Sequence, residues 1–443
     1  VAFPEKGLLM QDLSMQLAAK TIPIEQALEL LRHQGRRMIT AMAAAEPQLL
    51  YRHVHEILPA RTEPLRIFTA NPGKLYPCYA APELEGKVEF VVMFLTECVR
   101  KNQGSRVQYF PHHLSQWFSA ITGDGEPIDV FWGSCSMPDA RGFVSLGPGA
   151  CYEPEAFHKA RLRILEINPH LPSTLGSTIV SISSVDYFLH SDAPLPTLAR
   201  PTMDEKDHII AGYVADLVKD GSTIQLGIGS IPNAIGKALA VKRDLGVHTE
   251  MMNDTMMDLY RQGVITGAHK TRWPRKMIAA FAYGTKELYS FIDKNPVVEL
   301  HPASVVNDRY RIGLNHQMVS INSAVEVDLT GQVCSESVGH REWSGVGGAS
   351  DTHIGAQRSA GGQGIIVIKS TAQEDRISKI VFELKPGAKV SISRNDIDTI
   401  ITEYGVARLK GKTVSERVKA MIGIAHPNFR DELRSQAKKE FYI

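Results

Sequence analysis

The chain has 443 residues, a length that suggests two or three domains, with 43% hydrophobic and 22% charged residues. Lys and Arg total 49 against 48 Asp and Glu, so the net charge is +1 and no basic stretch argues for nucleic acid. Cys78, Cys98, Cys135, Cys151 and Cys334 are odd in number and form no CxxC, which argues against a disulfide framework or a zinc site. With no signal-peptide layout and no run of 18 apolar residues, a soluble cytoplasmic protein without membrane contact is expected.

In chain order, "IPIEQALELLRHQGRR" (22–37) reads as an amphipathic helix, with Ile24, Ala27, Leu28 and Leu31 on one face. Residues 38–58 read as a strand, a small-residue turn at Ala43–Ala45, and a helix. The runs 88–94, 127–136 and 177–185 are predicted as buried strands. "SDAPLPTLARPTMDE" (191–205) holds three prolines and little periodicity, the mark of a linker. Asp204 can cap a helix that Gly221 stops. A strand over 222–229 and a helix over 231–240 come next, then strands over 364–368 and 388–393. The last 30 or so residues read as two helices broken at Pro427. Alternating strands and helices on both sides of the linker predict an α/β fold of two open-sheet domains, 1–192 and 204–443, joined by 193–203.

Three stretches could carry chemistry. In "QLGIGSIPNAIGKAL" (225–239), Gly227 and Gly229 permit close backbone approach, and the helix start behind them favours an anion. Pro232 stands where a Rossmann loop has its third glycine, so a dinucleotide fingerprint is not met, and a structural turn explains the loop equally well. "SGVGGASDTHIGAQRSAGGQG" (344–364) carries seven glycines, enough for a cradle of exposed N–H groups or for a slack loop. Glu250 follows a predicted strand, 245–248, at the edge where open α/β sheets bind ligands. With a reference pKa of about 4.3 it would be ionised at neutral pH and able to attack without a partner base. A glutamate at a helix start is more commonly a charge set against the helix dipole. His112-His113 lack the partners of a metal site, and Cys135 lacks a base, so no metal is expected.

Several ordered blocks go further: "AEPQ" (45–48), "PDARGFVSLG" (138–147), "QLGIGSIPNAI" (225–235), "LGVHTEMMND" (245–254), "HPASVVND" (301–308), "INSAVEVDLTGQVCSES" (321–337), "GVGG" (345–348) and "ITEYGVARLKGK" (401–412). Through these the chain resembles the acetyl-CoA hydrolase/transferase family of class I CoA-transferases, which includes 4-hydroxybutyrate, butyrate and itaconate CoA-transferases. The resemblance implies two related α/β domains of the CoA-transferase type, with Glu250 as covalent nucleophile. It implies a ping-pong route through an acyl-glutamyl anhydride and a glutamyl-CoA thioester. Gly347 and Gly348 match the oxyanion-donor segment. Gln225, Leu226, Gly227, Ile228 and Gly229 match the CoA-binding strand end, and Val325 and Gly348 align with further CoA contacts. Coenzyme A enters as acyl-CoA substrate, the second substrate is a small carboxylate, and a homo-oligomer is expected from the resemblance alone. Arg106 and His113 precede "LSQWF", a segment that in this family runs near the acyl site, and they suggest a dicarboxylate such as succinate or itaconate.

The chain also departs from the family pattern. Where members carry Gln-x-Asp-Phe-x-Arg after GxGG, only Asp351 survives, and Met42 with alanines replaces the glycines before "AEPQ". Two other readings share the same residues: a hydrolase in which water resolves the intermediate, and a non-catalytic acyl-CoA-binding module.

Overall fold

The computed structural model describes residues 6–33, 35–102, 104 and 106–443. The backbone divides into two compact units. Unit 1 comprises residues up to 112, 116–198 and 280–304; unit 2 comprises 113–115, 199–279 and 305–443. The main break at 198/199 falls in the proline-rich stretch, whose residues 191–204 form no regular element. Residues 280–304 belong to unit 1 and the tripeptide His113–Ser115 to unit 2.

Unit 1 is built on a seven-stranded, all-parallel sheet. In spatial order its strands are Tyr187–His190, Leu162–Ile167, Val130–Cys135, Arg37–Thr40, Leu65–Thr69, Val88–Val92 and Val107–Tyr109. Strands buried on both faces read as continuous apolar runs, which is why 88–94 and 127–136 were legible. The helix Gln48–Ile57 begins at "AEPQ", where its first N–H groups need acceptors. The buried Glu166 supplies them, accepting from Leu49 and Leu50 at 3.0 Å each. Glu46 of the same motif accepts from the Tyr76 hydroxyl at 2.7 Å and from the Gly73 N–H at 2.8 Å. Beside it, Ala43 sits in the left-handed region at φ 51°.

Unit 2 carries a second open sheet. Its strands run, in spatial order, Gly405–Arg408, Thr399–Thr402, Gln363–Val367, Met318–Ser323, Thr223–Leu226, Gly246–Met252 and Met277–Ala282, with the unit division falling inside the last. Parallel pairing links the strands from Thr399–Thr402 to Gly246–Met252, and Gly405–Arg408 pairs antiparallel at the edge. The helix Glu205–Leu217 opens with a capping box between Asp204 and Asp207, as its sequence predicts. The C-terminal helices, Val414–Ile424 and Arg430–Lys439, are separated by a short 3-10 turn at Pro427. Among the described residues no helix is long and apolar enough to cross a membrane.

Three local expectations need correction. Residues 177–185 contribute only the short strand Ile179–Ser181, paired antiparallel with Phe143–Ser145 and followed by a turn in which Ser181 accepts from the Ser183 N–H. A serine-rich run satisfies its own backbone in this way instead of joining the parallel sheet. Residues 388–393 form a single bridge, Ile392 to Val333, because Lys389 and Ser391 give their N–H groups to the Ser337 hydroxyl and the Val333 carbonyl. The third correction concerns Glu250, which lies inside a strand and not after one.

Candidate active site

The strand Gly246–Met252 carries Glu250 as its fifth residue. The strand continues to Met252 because the following helix, Asp254–Arg261, has its start fixed by Asn253, whose side chain accepts from the Met256 N–H at 3.2 Å. The Asn253 amide nitrogen also donates to the Gly227 carbonyl at 3.3 Å, tying the glycine loop 227–229 to the end of the Glu250 strand. Two further groups hold the strand from behind. The buried Lys270 donates to the Val247 carbonyl at 2.7 Å, and His248 Nε2 donates to the Val306 carbonyl at 2.7 Å. The second bond places Asn307, the next residue, against the Glu250 carboxylate.

Around that carboxylate three donors or charges converge. Asn307 Nδ2 donates to Glu250 Oε2 at 3.4 Å, and the Gly348 backbone N–H lies close enough to the same carboxylate to favour its charged form. Asp351, buried in the first turn of the helix Ala349–Ala356, opposes it as a like charge. Burial above all, and the charge of Asp351, raise the Glu250 pKa, the Gly348 and Asn307 groups lower it, and the balance is about 7. The expectation of an unperturbed, fully ionised glutamate is therefore replaced by a half-buried carboxyl poised near neutral pH.

Gly348 is required by space, and Gly347 is favoured by its backbone conformation. Gly347 has φ 53°, and a Cβ there would meet Glu250 Oε1 at 3.4 Å. A Cβ on Gly348 would collide with both Glu250 Oε2 and Asn307 Nδ2. Asp351 is held by Arg309, whose Nε donates at 3.0 Å, and it accepts the Ser115 N–H at 3.1 Å. Glu250, Asn307, Arg309, Gly347, Gly348 and Asp351 all belong to unit 2. Sequence reading named Glu250 and the two glycines but passed over Asn307, although "HPASVVND" held it in a quoted block. Asp351 was visible only as the survivor of a broken pattern.

The remaining candidates are more scattered. The Gln225 side chain is engaged by the neighbouring strand, accepting from Ser320 Oγ at 2.8 Å and the Ile321 N–H at 3.1 Å. Leu226 is buried in the sheet, whereas Ile228 is exposed and Gly229 caps the helix Ser230–Ala238 at φ 115°. Val325 follows the strand Met318–Ser323 and donates its N–H to the Cys334 carbonyl at 2.8 Å. His113 lies in unit 2 next to the loop-bound Leu114, and its buried Nδ1 has no partner among the described residues. Arg106 lies in unit 1 with its guanidinium spent: it donates to the Ala80 carbonyl at 3.1 Å and to Ala81, and it pairs with Glu85 at 3.5 Å.

This arrangement can be set beside known proteins. Residues 11–198 match the acetyl-CoA hydrolase/transferase N-terminal domain and residues 284–437 the C-terminal domain of the same family. The 4-hydroxybutyrate coenzyme A transferase of Clostridium kluyveri is 43% identical over 79% of this chain and 82% of its own. The succinyl-CoA:cyclohexane-1-carboxylate CoA transferase of Geobacter metallireducens is 40% identical over 81% of this chain and 82% of its own. Among solved structures, a 4-hydroxybutyrate CoA-transferase from Porphyromonas gingivalis superposes with a TM-score of 0.81 at 32% identity, covering 97% of this chain and 99% of that one. The chain belongs to the acetyl-CoA hydrolase/transferase family.

Proposed function

We propose that the protein is a CoA-transferase that moves CoA from a short-chain acyl-CoA to a small carboxylic acid, with Glu250 as the covalent nucleophile. The observation that carries this reading is the contact of one carboxylate with both the Gly348 N–H and the Asn307 amide. A structural carboxylate is ordinarily held by donors together with a counter-ion. This one faces two donors and a like charge, the environment of a carboxylate that is to be consumed.

In the first step Glu250 attacks the thioester carbonyl, the C–S bond breaks, and an acyl-glutamyl anhydride and CoA thiolate result. The thiolate then attacks the glutamyl carbonyl, expelling the first acid and leaving a glutamyl-CoA thioester. A second carboxylate attacks that thioester and the sequence runs in reverse. No ATP is needed, because each intermediate retains the thioester's free energy as long as water is excluded. When the glutamyl carbon becomes tetrahedral, the negative charge develops on a Glu250 oxygen. The Gly348 N–H and Asn307 Nδ2 already lie against that group, and one such donor contributes about 3–4 kcal/mol in comparable enzymes. A carboxyl pushed up to about 7 by burial is also the more basic and so the better nucleophile once ionised. CoA is assigned to the loop Gly227–Gly229, where Ile228 is exposed and the helix start at Ser230, with glycine as its N-cap, has no side-chain acceptor of its own.

Acyl-CoA supplied with and without an acceptor acid tests this reading. Transfer predicts a new acyl-CoA only when the acid is present, with both activities lost in Glu250→Ala. Thiol release that ignores the acid would identify a hydrolase, and unimpaired turnover in Glu250→Ala would end the catalytic assignment.

A further inference from the structure

The oxyanion-donor peptide joins two glycines, Gly347 at φ 53° and Gly348 at φ −99°. Without Cβ atoms on either side, little steric resistance prevents that peptide from rotating its N–H away from Glu250. Its orientation must be set by hydrogen bonds, and the far side of the same peptide has one. The Leu114 N–H donates to the Gly347 carbonyl at 3.1 Å. In a planar trans peptide the C=O and N–H point in opposite directions, so a donor that fixes the Gly347 oxygen also aims the Gly348 N–H. The neighbouring residue repeats the attachment: Ser115 N–H donates to Asp351 Oδ2 at 3.1 Å, and Arg309 Nε holds the other oxygen of Asp351 at 3.0 Å. The tripeptide His113–Ser115 belongs to unit 2, as do Gly347 and Asp351.

We infer that the backbone N–H of Leu114 is a positioning group that holds the Gly347–Gly348 peptide with its N–H turned toward Glu250. The inference rests on the assignment of Glu250 as nucleophile and adds to it the device that forms its donor. Leu114 touches no reacting atom and acts through the peptide it clamps.

The test exploits the place of Leu114 as first residue of the helix Leu114–Ile121, where the helix tolerates proline and a ring methylene replaces the N–H. Leu114→Pro and Leu114→Ala both lose the buried side chain, but only Leu114→Pro loses the donor. The expected result is a kcat for Leu114→Pro about 10- to 100-fold below that of Leu114→Ala, with KM for acyl-CoA altered less than about threefold. Equal kcat in two folded variants overturns the inference. Should Leu114→Pro not fold, amide exchange in the unaltered protein decides. Amides in the first turn of a helix ordinarily lack a partner, and the Leu114 amide is expected to be protected about 100-fold or more. Exchange at an unprotected rate overturns the clamp. Glu250→Ala in the same assay separates the two levels. If it still turns over, the parent reading fails; if it is dead while Leu114→Pro matches Leu114→Ala, only the clamp fails.

Discussion

Replacing Glu250 by glutamine should destroy transfer and, at alkaline pH, stabilise the fold. Glutamine keeps the shape and an acceptor for Asn307 Nδ2 but carries no charge into a buried site that also holds Asp351. In the wild-type protein the carboxyl pKa rises from 4.5 unfolded to about 7 folded. The folded state therefore binds more protons than the unfolded state between those values, and stability falls as pH rises through that window. At roughly 1.4 kcal/mol per pH unit, the loss between pH 4.5 and pH 8 is about 3 kcal/mol. Glu250→Gln escapes it. Denaturant titrations of both proteins at pH 4.5 and pH 8, following a probe in unit 2, should give similar midpoints at the lower pH. At the higher pH a gap of roughly 2–3 kcal/mol should favour glutamine. A gap that is absent at pH 8, or unchanged across the range, would refute the claim that Glu250 sits in a desolvated, like-charged site.

The other predictions use the same geometry. Acylation needs the carboxylate, so kcat/KM for acyl-CoA should rise with pH through a midpoint near 7; a profile flat from pH 5.5 to 8 would show an unperturbed glutamate. Asp351→Asn removes the like charge that pushes Glu250 up and leaves the Arg309 cation nearby, so that midpoint should move to lower pH; an upward shift would contradict it. Gly348→Ala places a methyl group into Glu250 and Asn307 and should cost about 100-fold or more in kcat. Gly347→Ala meets only ordinary contact and carries roughly 1–2 kcal/mol of backbone strain at φ 53°, so its loss should be the smaller. Arg106→Ala should lower activity on monocarboxylates and dicarboxylates equally, because its guanidinium is bound to Ala80, Ala81 and Glu85; a selective loss on dicarboxylates would reinstate it as a substrate group.

The legible parts of this fold were those written in local pattern. Apolar runs such as "VFWGSC" gave the central strands, the Asp204/Asp207 capping box gave a helix start, and Pro427 gave a helix break. What escaped depended on tertiary pairing. The serines of 177–185 close their own turn, and 388–393 is tied to strand residues more than 50 positions earlier, which no window of local propensity contains. At the site, Glu250 and the two glycines could be named from motifs, but the strand that carries Glu250 was ended too early because Asn253 was not read as the helix cap. The raised pKa, the Asn307 contact and the grip of Leu114 on Gly347 join segments 57 and 233 residues apart, as the numbers 250, 307, 114 and 347 show. The bonds of Arg106 were hidden for the same reason, since sequence displays a cation but not the carbonyls around it.

The central claim is that Glu250 forms a covalent bond with the substrate, and trapping tests it most directly. The protein is incubated with an acyl-CoA, reduced with borohydride, digested, and the peptide spanning 245–260 is analysed by mass. Modification at Glu250, absent without acyl-CoA and absent in Glu250→Gln, is the predicted result. An unmodified Glu250 peptide during active turnover, or an adduct on another residue, would contradict the account.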